Sequence, residues 1–437
     1  MADDRKPKEP QGLPEGWKWV RFKDYVYFQE GPGLTSDLFE GRSEGIPFLN
    51  IRCIQNNQLL KDKLQFVDEN IVRKHFKHFL LQENDLVVSS SGTLGRTLFI
   101  KKEHLPLLLN TSIIRMRPTN ESLSRFYLKY FIESEFFQKE IYRLSTGSAQ
   151  SNYGPSHLKR IFLILPPLSE QRKIAQILET VDNAIEKTEK IIEKYKRIKQ
   201  GLMQDLLTKG IDENGNIRNE KTHKFKDSPL GRIPEEWEVV RLGEVGEIIS
   251  GSTPSTYNDE YWNGEIVWIT PNDLSNIENI FIENSSRKIT QKGLKSCSTK
   301  IISANSVVVS SRAPIGYVKV SKVPFATNQG CKSIEYNGKF SPIFLAFLLS
   351  NKVQDMINMG SGTTFQEITK SNLAKILIPL PPLPEQQRIA EILSQIDQTI
   401  EKEQQYKEKL QKIKQGLMGD LLTGKVRVNH LVEEKEK

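Results

Sequence analysis

Two stretches of this chain carry apolar residues at alternating steps of three and four. Ile174, Leu178, Val181, Ile185, Ile192 and Tyr195 lie on one stripe; Ile389, Leu393, Ile396, Ile400, Leu410, Ile413, Leu417 and Leu421 lie on another. That spacing marks one face of an amphipathic helix, and Lys and Glu fill the outer face. Each stretch opens on Leu-Pro-Pro-Leu, where proline blocks a helix upstream and suits its first turn. Glu170 and Glu385 fall where an acid suits the helix dipole. Some forty residues of helix would run about 60 Å. Such a stripe needs an apolar partner in water, and each copy supplies one for the other. Parallel and antiparallel pairing are both open; we expect the antiparallel, pseudo-twofold arrangement.

The two stretches are copies. Residues 165–211 and 380–426 align without a gap at an offset of 215, with 26 of 47 positions identical. A repeat of this length organises the whole chain. The preceding segments match more loosely. Leu13-Pro14-Glu15-Gly16-Trp17 returns as Ile233-Pro234-Glu235-Glu236-Trp237, and Leu86-Val87-Val88-Ser89-Ser90 as Val307-Val308-Val309-Ser310-Ser311. Gly147 and Gly362 stand at the same offset as the helices. Apolar runs at 46–51, 86–88, 113–116, 266–269 and 307–309 predict strands between Gly-, Ser-, Asn- and Pro-rich loops. Residues 123–137 and 342–356 predict one helix late in each domain. The fold class is α+β: two globular α/β domains joined and spaced by two long helices forming an antiparallel coiled coil. The expected order is a disordered tail (1–12), first domain (13–165), first helix (166–211), linker (212–232), second domain (233–380), second helix (381–428) and tail (429–437).

Composition narrows the chemistry. Of 437 residues, 37% are hydrophobic and 27% charged, ordinary values for a soluble protein. No apolar run approaches the roughly 20 residues of a membrane helix, and the polar residues 1–11 do not read as a signal peptide. Cys53, Cys297 and Cys331 are far apart and odd in number, as expected of reduced thiols. The formal net charge of +8 permits nucleic-acid binding without showing it. Residues 13–165 carry 21 Lys and Arg against 16 Asp and Glu, whereas residues 233–380 carry 14 against 14, so contacts in the second domain must come from local clusters. No phosphate-loop, metal-ligand or adenine-methyltransferase signature is present, and six histidines form no triad pattern. The Gly31-Pro32-Gly33 loop lacks the context of a dinucleotide fingerprint. We expect a non-catalytic chain that binds no metal or cofactor; a fused methyltransferase or nuclease would need a catalytic loop not seen here. A coiled-coil adaptor without DNA binding is a third reading.

Two diverged domains, each ending in Leu-Pro-Pro-Leu-x-Glu-Gln and running into a helix with Gln-Gly-Leu-Met-x-Asp-Leu-Leu-Thr, resemble the specificity subunit of Type I restriction-modification systems. The stretch Ser228-Pro229-Leu230-Gly231-Arg232-Ile233-Pro234-Glu235-Glu236-Trp237 is similar to that family's entry into its second domain. The resemblance covers roughly residues 13–428. It implies that each domain is a target-recognition domain reading half of a bipartite, asymmetric double-stranded DNA site. The helices would act as a ruler and dock two modification subunits, which carry S-adenosylmethionine and methylate adenine. Restriction subunits using ATP and Mg would join the larger complex in a prokaryotic cytoplasm. Pro384 stands where Ser169 stands, and Arg388 is shifted by one from Arg172, so the two helix starts depart from each other.

Base edges are read by hydrogen bonds, and phosphate contacts set position. The candidate readers are loop residues where the domains align but differ. In the first domain they are Ser89, Ser90, Ser91, Thr93 and Arg96, with Arg115 on a strand whose alternation with Ile114 and Met116 fits a solvated face equally well. In the second they are Ser252, Thr253, Ser310, Ser311, Arg312, Tyr317, Asn328, Gln329, Thr363 and Lys370. The loops at 31–36, 251–257 and 360–370 are further candidates, with Asn328 and Gln329 as possible adenine readers. For partner docking the repeated helix motifs nominate Glu170, Gln171, Gln200, Gly201 and Met203, and Glu385, Gln386, Gln415, Gly416 and Met418. Gly201 and Gly416 read as a propensity defect of about 1 kcal/mol, a close helix crossing or a subunit contact.

Overall fold

The structure is a computed structural model describing residues 12–55, 57–145, 152–360 and 366–432. The two repeated stretches are helices of 39 residues each, Leu168–Leu206 and Leu383–Leu421. Two residues, the Pro-Pro pair that ends the extended backbone, separate each helix from the strand before it. The chain forms two compact units, Met1–Thr188 with Tyr406–Lys437, and Glu189–Gln405. Each unit therefore holds one domain together with half of each long helix.

In the first unit a four-stranded sheet has the order Val26–Glu30, Ile113–Pro118, Leu86–Ser89, Thr97–Phe99, with every neighbouring pair antiparallel. Strand alternation sends Leu86, Val88, Ile114 and Met116 into a core with the late helices, and Val87, Leu98 and Ile113 into a second core. The sheet is thus covered on both faces. A small lobe, built on Ile46–Leu49 paired with Gln65–Val67 and Leu108–Leu109, packs around Phe48 and Val67. Lys18–Arg21 pairs with Phe162–Leu165 and closes the domain just before the long helix. Ile174 and Leu178 pack in the same core as Leu421 and Leu422, while Asp182 meets Lys414 at 2.7 Å. The helix halves of this unit are therefore antiparallel.

The second unit follows the same plan. Its five-stranded sheet runs Ile248–Ser250, Cys331–Ile334, Val307–Ser311, Ile315–Ser321, Phe281–Ile282. Val307 and Val309 face one core and Val308 another. A lobe on Trp262–Ile269 holds Trp262 and Trp268. Glu238–Arg241 pairs with Leu377–Leu380. Leu206 and Leu207 share a core with Ile389 and Leu393, and Lys199 meets Asp397 at 2.5 Å, so these helix halves are antiparallel too. Lys199–Asp397 and Lys414–Asp182 are images of one another at the 215-residue offset.

Two details depart from the sequence expectation. The late helix of each domain is two helices: Arg125–Glu133 and Glu135–Leu144, and Pro342–Asn351 and Val353–Asn358. In the first domain Ser134 is extended and its Oγ accepts the Phe137 N–H, which caps a new helix and breaks the old one. Residues 212–232 are more than a tether, because Phe225–Ser228 and Gly231–Pro234 form a hairpin at their end.

Candidate nucleic-acid interface

In the first unit the loops singled out from sequence converge at one end of the four-stranded sheet. The Ser89 hydroxyl donates to Thr93 O at 2.6 Å and accepts from Arg96 N–H at 2.9 Å, clamping the hairpin that joins two strands. In the second unit Ser310 donates to Pro314 O and accepts from Tyr317 N–H, both at 2.8 Å. Ser90 N–H donates to Ser112 O, and Ser311 N–H to Gly330 O. Asn110 Oδ1 accepts from Ser112 N–H, and Asn328 Oδ1 from Gly330 N–H. Tyr153 N–H donates to Ser90 O, and Ile368 N–H to Ser311 O. Gly31 lies so close to Asn110 that an added Cβ would meet its backbone at 2.5 Å; Gly251 stands likewise against Asn328, at 2.3 Å. Five loop features thus form one backbone frame, built once in each unit.

This frame corrects several candidate readers. Ser89, Ser90, Ser310 and Ser311 are buried and hold the frame, so they are not available to DNA. Arg115 is also buried; its guanidinium donates to Leu80 O at 2.9 Å, to His78 O at 3.0 Å and to Gln29, which ties the sheet to the lobe. It is neither a solvated face nor a DNA contact. Its neighbour Arg117 pairs with Asp85.

The rim of the frame keeps the remaining candidates. In the first unit these are Ser91 and Thr93 with Arg96, which donates to Ile54 O at 2.9 Å. In the second, Ser252 O accepts from Trp268 Nε1, and the Thr253 hydroxyl donates to Gln329 Oε1 at 2.5 Å. Arg312, Tyr317, Gln329 and Lys370 are exposed or half-buried. Thr363 lies outside the described residues, as do Gly147 and Gly362. The structure adds residues that sequence reading missed. Lys332 is buried below the rim, and its Nζ donates to Ser311 Oγ, Gln329 O and Glu367 Oε1 at 3.0–3.3 Å. Asn110 and Thr111 occupy the places of Asn328 and Gln329. Their frame role could have been suspected only by aligning 110–113 with 328–331 across an offset unlike that of the helices.

Each lobe also presents cations. Arg73, Lys74, His75, Lys77 and His78 are exposed on a short helical segment beginning after Asp68, backed by Val72. In the other lobe Arg287, Lys292, Lys295 and Lys300 are exposed, with no acid between residues 284 and 300. Arg287 stacks 3.5 Å over the Trp262 ring. In a domain neutral overall, this stretch is a local run of cations without an acid in it.

The helix motifs divide in the same way. Gln171 accepts from Ser124 N–H at 2.8 Å and donates to Ser122 O and Pro166 O; Gln386 accepts from Ser341 N–H at 2.9 Å and donates to Pro381 O. Glu170 pairs with Arg427, and Glu385 with Arg218, Trp237 Nε1 and Ile211 N–H. Glu170, Gln171 and Gln386 are buried, and Glu385 is largely so. These four tie each helix to its own unit, which removes them as docking contacts. Met203 and Met418 pack against the two cores. Gln200, Gly201, Gln415 and Gly416 are exposed, and a Cβ on either glycine would meet nothing within 4 Å. Among the described residues, neither glycine therefore serves a close helix crossing. Beside them Ile191 and Ile198, and at the repeat-equivalent positions Tyr406 and Ile413, leave large apolar side chains in solvent.

Two like frames carrying unlike rims, mounted on repeated helices, define a duplicated recognition scaffold. The chain belongs to the family of Type I restriction-modification specificity subunits: the Type I restriction modification DNA specificity domain matches residues 14–197 and 234–412. The putative MjaX specificity subunit of Methanocaldococcus jannaschii is 33% identical over 427 residues, 95% of either chain. The MjaVIII specificity subunit of the same organism is 30% identical over 442 residues, 97% of this chain and 96% of that one. A chain solved in work on complex assembly and conformational transition of the type I R-M system shares the fold. It has a TM-score of 0.60 and 20% identity, and the match covers 95% of this chain and all of that one. Among the described residues no group of three or more His, Cys, Asp or Glu is placed to hold a metal ion, and no helix is long and apolar enough to cross a membrane.

Proposed function

We propose that each unit reads one half of a bipartite, asymmetric double-stranded DNA site, and that the long helices set the spacer and seat two modification subunits. The observation that carries this reading is the backbone frame, held by the same hydrogen bonds in both units while the side chains on its rim differ. A common frame meets the duplex in a common way, and unlike rim residues select unlike base edges. The basic lobes supply phosphate contacts, so affinity falls with salt. The exposed stripes at Ile191, Ile198 and Gly201, and at Tyr406, Ile413 and Gly416, are repeat images. They offer two equivalent seats to two copies of one partner. Chemistry belongs to the partners: S-adenosylmethionine to the adenine-methylating modification subunits, ATP and Mg to restriction subunits. The complex works in the prokaryotic cytoplasm. The test is a swap of residues 13–165 for the matching domain of a relative, followed by sequencing of methylated DNA made by the full complex. One half of the motif should change while the other half stays. A change in both halves together refutes modular reading, and methylation by this chain without partners refutes its non-catalytic role.

A further inference from the structure

One pair of rim positions differs in kind between the units. An isolated backbone bridge joins Ser91 to Asn152 in the first unit and Arg312 to Glu367 in the second. Both bridges sit at the same place in the frame, next to the bonds Tyr153 N–H to Ser90 O and Ile368 N–H to Ser311 O. The backbone therefore fixes two facing side chains in each unit and leaves their chemistry free. In the first unit both are neutral and short. In the second they are an ion pair, Arg312 Nη1 to Glu367 Oε2 at 3.7 Å, with both side chains over a third exposed.

The surroundings orient this arginine. Glu367 is anchored from below by Lys332, whose side chain is only 6% exposed and donates to Glu367 Oε1 at 3.3 Å. Lys332 is itself fixed by Ser311 Oγ and Gln329 O. Gly330 lets the Arg312 guanidinium lie close to the backbone: an added Cβ would stand 3.3 Å from Arg312 Nε and 3.2 Å from Asn328 Oδ1. The chain of supports runs from frame to Lys332, to Glu367, to Arg312. An ion pair through Nη1 alone leaves the opposite edge of the guanidinium, Nε and Nη2, as two parallel donors. The base edge that offers two matching acceptors is guanine, through N7 and O6 in the major groove.

We propose that Arg312, positioned by Glu367, reads a guanine in the half-site of the second unit, and that positions 312 and 367 and their counterparts 91 and 152 form a specificity slot in each domain. The inference rests on the DNA-reading role proposed above. Ser91 and Asn152 cannot present that two-donor edge, so the first unit does not read guanine from this slot.

The experiment uses the full complex with its modification subunits and reads the methylated motif, with the wild type alongside. Arg312→Lys keeps the charge and loses the fork. It should relax one base position in one half-site, cutting discrimination for guanine there by about tenfold or more, while the other half-site and the spacer stay fixed. Arg312→Gln should relax the same position. Glu367→Gln removes the orienting charge and should weaken selection at that position without transferring it to another base. Thermal unfolding of each variant separates loss of fold from loss of reading, and Arg312→Lys is the variant that preserves the exposed cation. If both Arg312 variants keep every base of the motif and lose only affinity, Arg312 is a phosphate contact and the proposal is overturned. The same holds if the relaxed position is not guanine in the wild-type motif. Failure of the underlying reading looks different: the wild-type complex would mark no two-part motif at all.

Discussion

Arg427→Ala tests how the first long helix is fastened to its unit. Glu170 stands in the first turn of that helix with its side chain 3% exposed, and Arg427 is its ion-pair partner through Nε, at 3.0 Å, and Nη2. Removing Arg427 leaves the buried Glu170 carboxylate without its partner; with Arg427 itself 29% exposed, the cost lies at the low end of the range for broken buried pairs, about 3 kcal/mol. The equivalent change in the second unit, Arg218→Ala, meets a different situation. Glu385 would still accept from Ile211 N–H at 2.9 Å and Trp237 Nε1 at 3.1 Å. With two donors retained, the loss there should be nearer about 2 kcal/mol. The counterpart tryptophan of the first unit offers no such reserve, because Trp17 Nε1 is buried without a partner among the described residues. The assay is hydrogen–deuterium exchange in low denaturant, following peptides around Ile174–Leu178 and Ile389–Leu393 separately. Arg427→Ala should lower the opening free energy in the first set by more than Arg218→Ala lowers it in the second, and each should spare the other set. The double change Glu170→Gln with Arg427→Gln should recover most of the loss, because no buried charge remains. Equal losses in the two units, or a loss below about 1 kcal/mol for Arg427→Ala, would refute the reasoning.

Two further outcomes follow from buried charges. In the first unit Asp182 and Glu133 share Lys129 and Lys414, and the Tyr130 hydroxyl donates to Asp182. Burial by itself would push the Asp182 carboxyl up, but Lys129 and Lys414 together hold it below the usual carboxylate range. Its contribution is therefore present above the unfolded value and lost as pH falls through the lower folded one. Acid unfolding of the first unit should show this loss, and Asp182→Asn should abolish it; an unchanged acid limb refutes the assignment. In the second unit burial, then Lys199, lowers Lys319 to about 8. The unfolded chain binds more protons between that value and the ordinary lysine range, so stability should rise across that interval, by about 2 kcal/mol after allowance for residual solvent. Lys319→Met should flatten the rise and raise the melting temperature at pH 7; a variant less stable at pH 7 and equally pH-dependent contradicts it.

The long helices were legible in the sequence because period and punctuation agree: a three-four stripe begins at a Pro-Pro pair and is duplicated. Strands at 86–88 and 307–309 were legible as apolar runs, and the structure shows why they are unbroken, since both faces of each sheet are covered. Ser89, Ser90, Ser310 and Ser311, which follow them, were misread. A hydroxyl cluster at a strand end has the same composition whether it faces DNA or clamps a hairpin. The Ser89-to-Arg96 and Ser310-to-Tyr317 bonds depend on a turn geometry that no period announces. Arg115 was ambiguous for a related reason: alternation gives its face, but the lobe carbonyls that bury it come from residues 78 and 80. Lys332 went unread, and Glu367 was covered only as part of the 360–370 loop, because each gains its role only beside the other.

The Glu-Gln motif shows why repetition alone does not separate an internal junction from an external surface. A junction built twice from one plan is repeated for the same reason as a surface used twice. What separates them is burial, and burial divides the repeat cleanly. Glu170 and Gln171, with Glu385 and Gln386, are spent on their own units, and Asp182 with Lys414 and Asp397 with Lys199 are spent on helix pairing. These identities are accounted for inside the chain. Gln200-Gly201 and Gln415-Gly416 are identical too, yet both are exposed, and their glycines face open space. A glycine inside a helix costs about 1 kcal/mol relative to alanine, and no described residue stands within 4 Å of where either Cβ would lie. The open glycines, beside the exposed Ile198 and Ile413, fit the seats proposed above for a partner. This leaves the two glycine positions as the strongest part of the docking assignment, after the residues that first suggested it have been claimed by the fold.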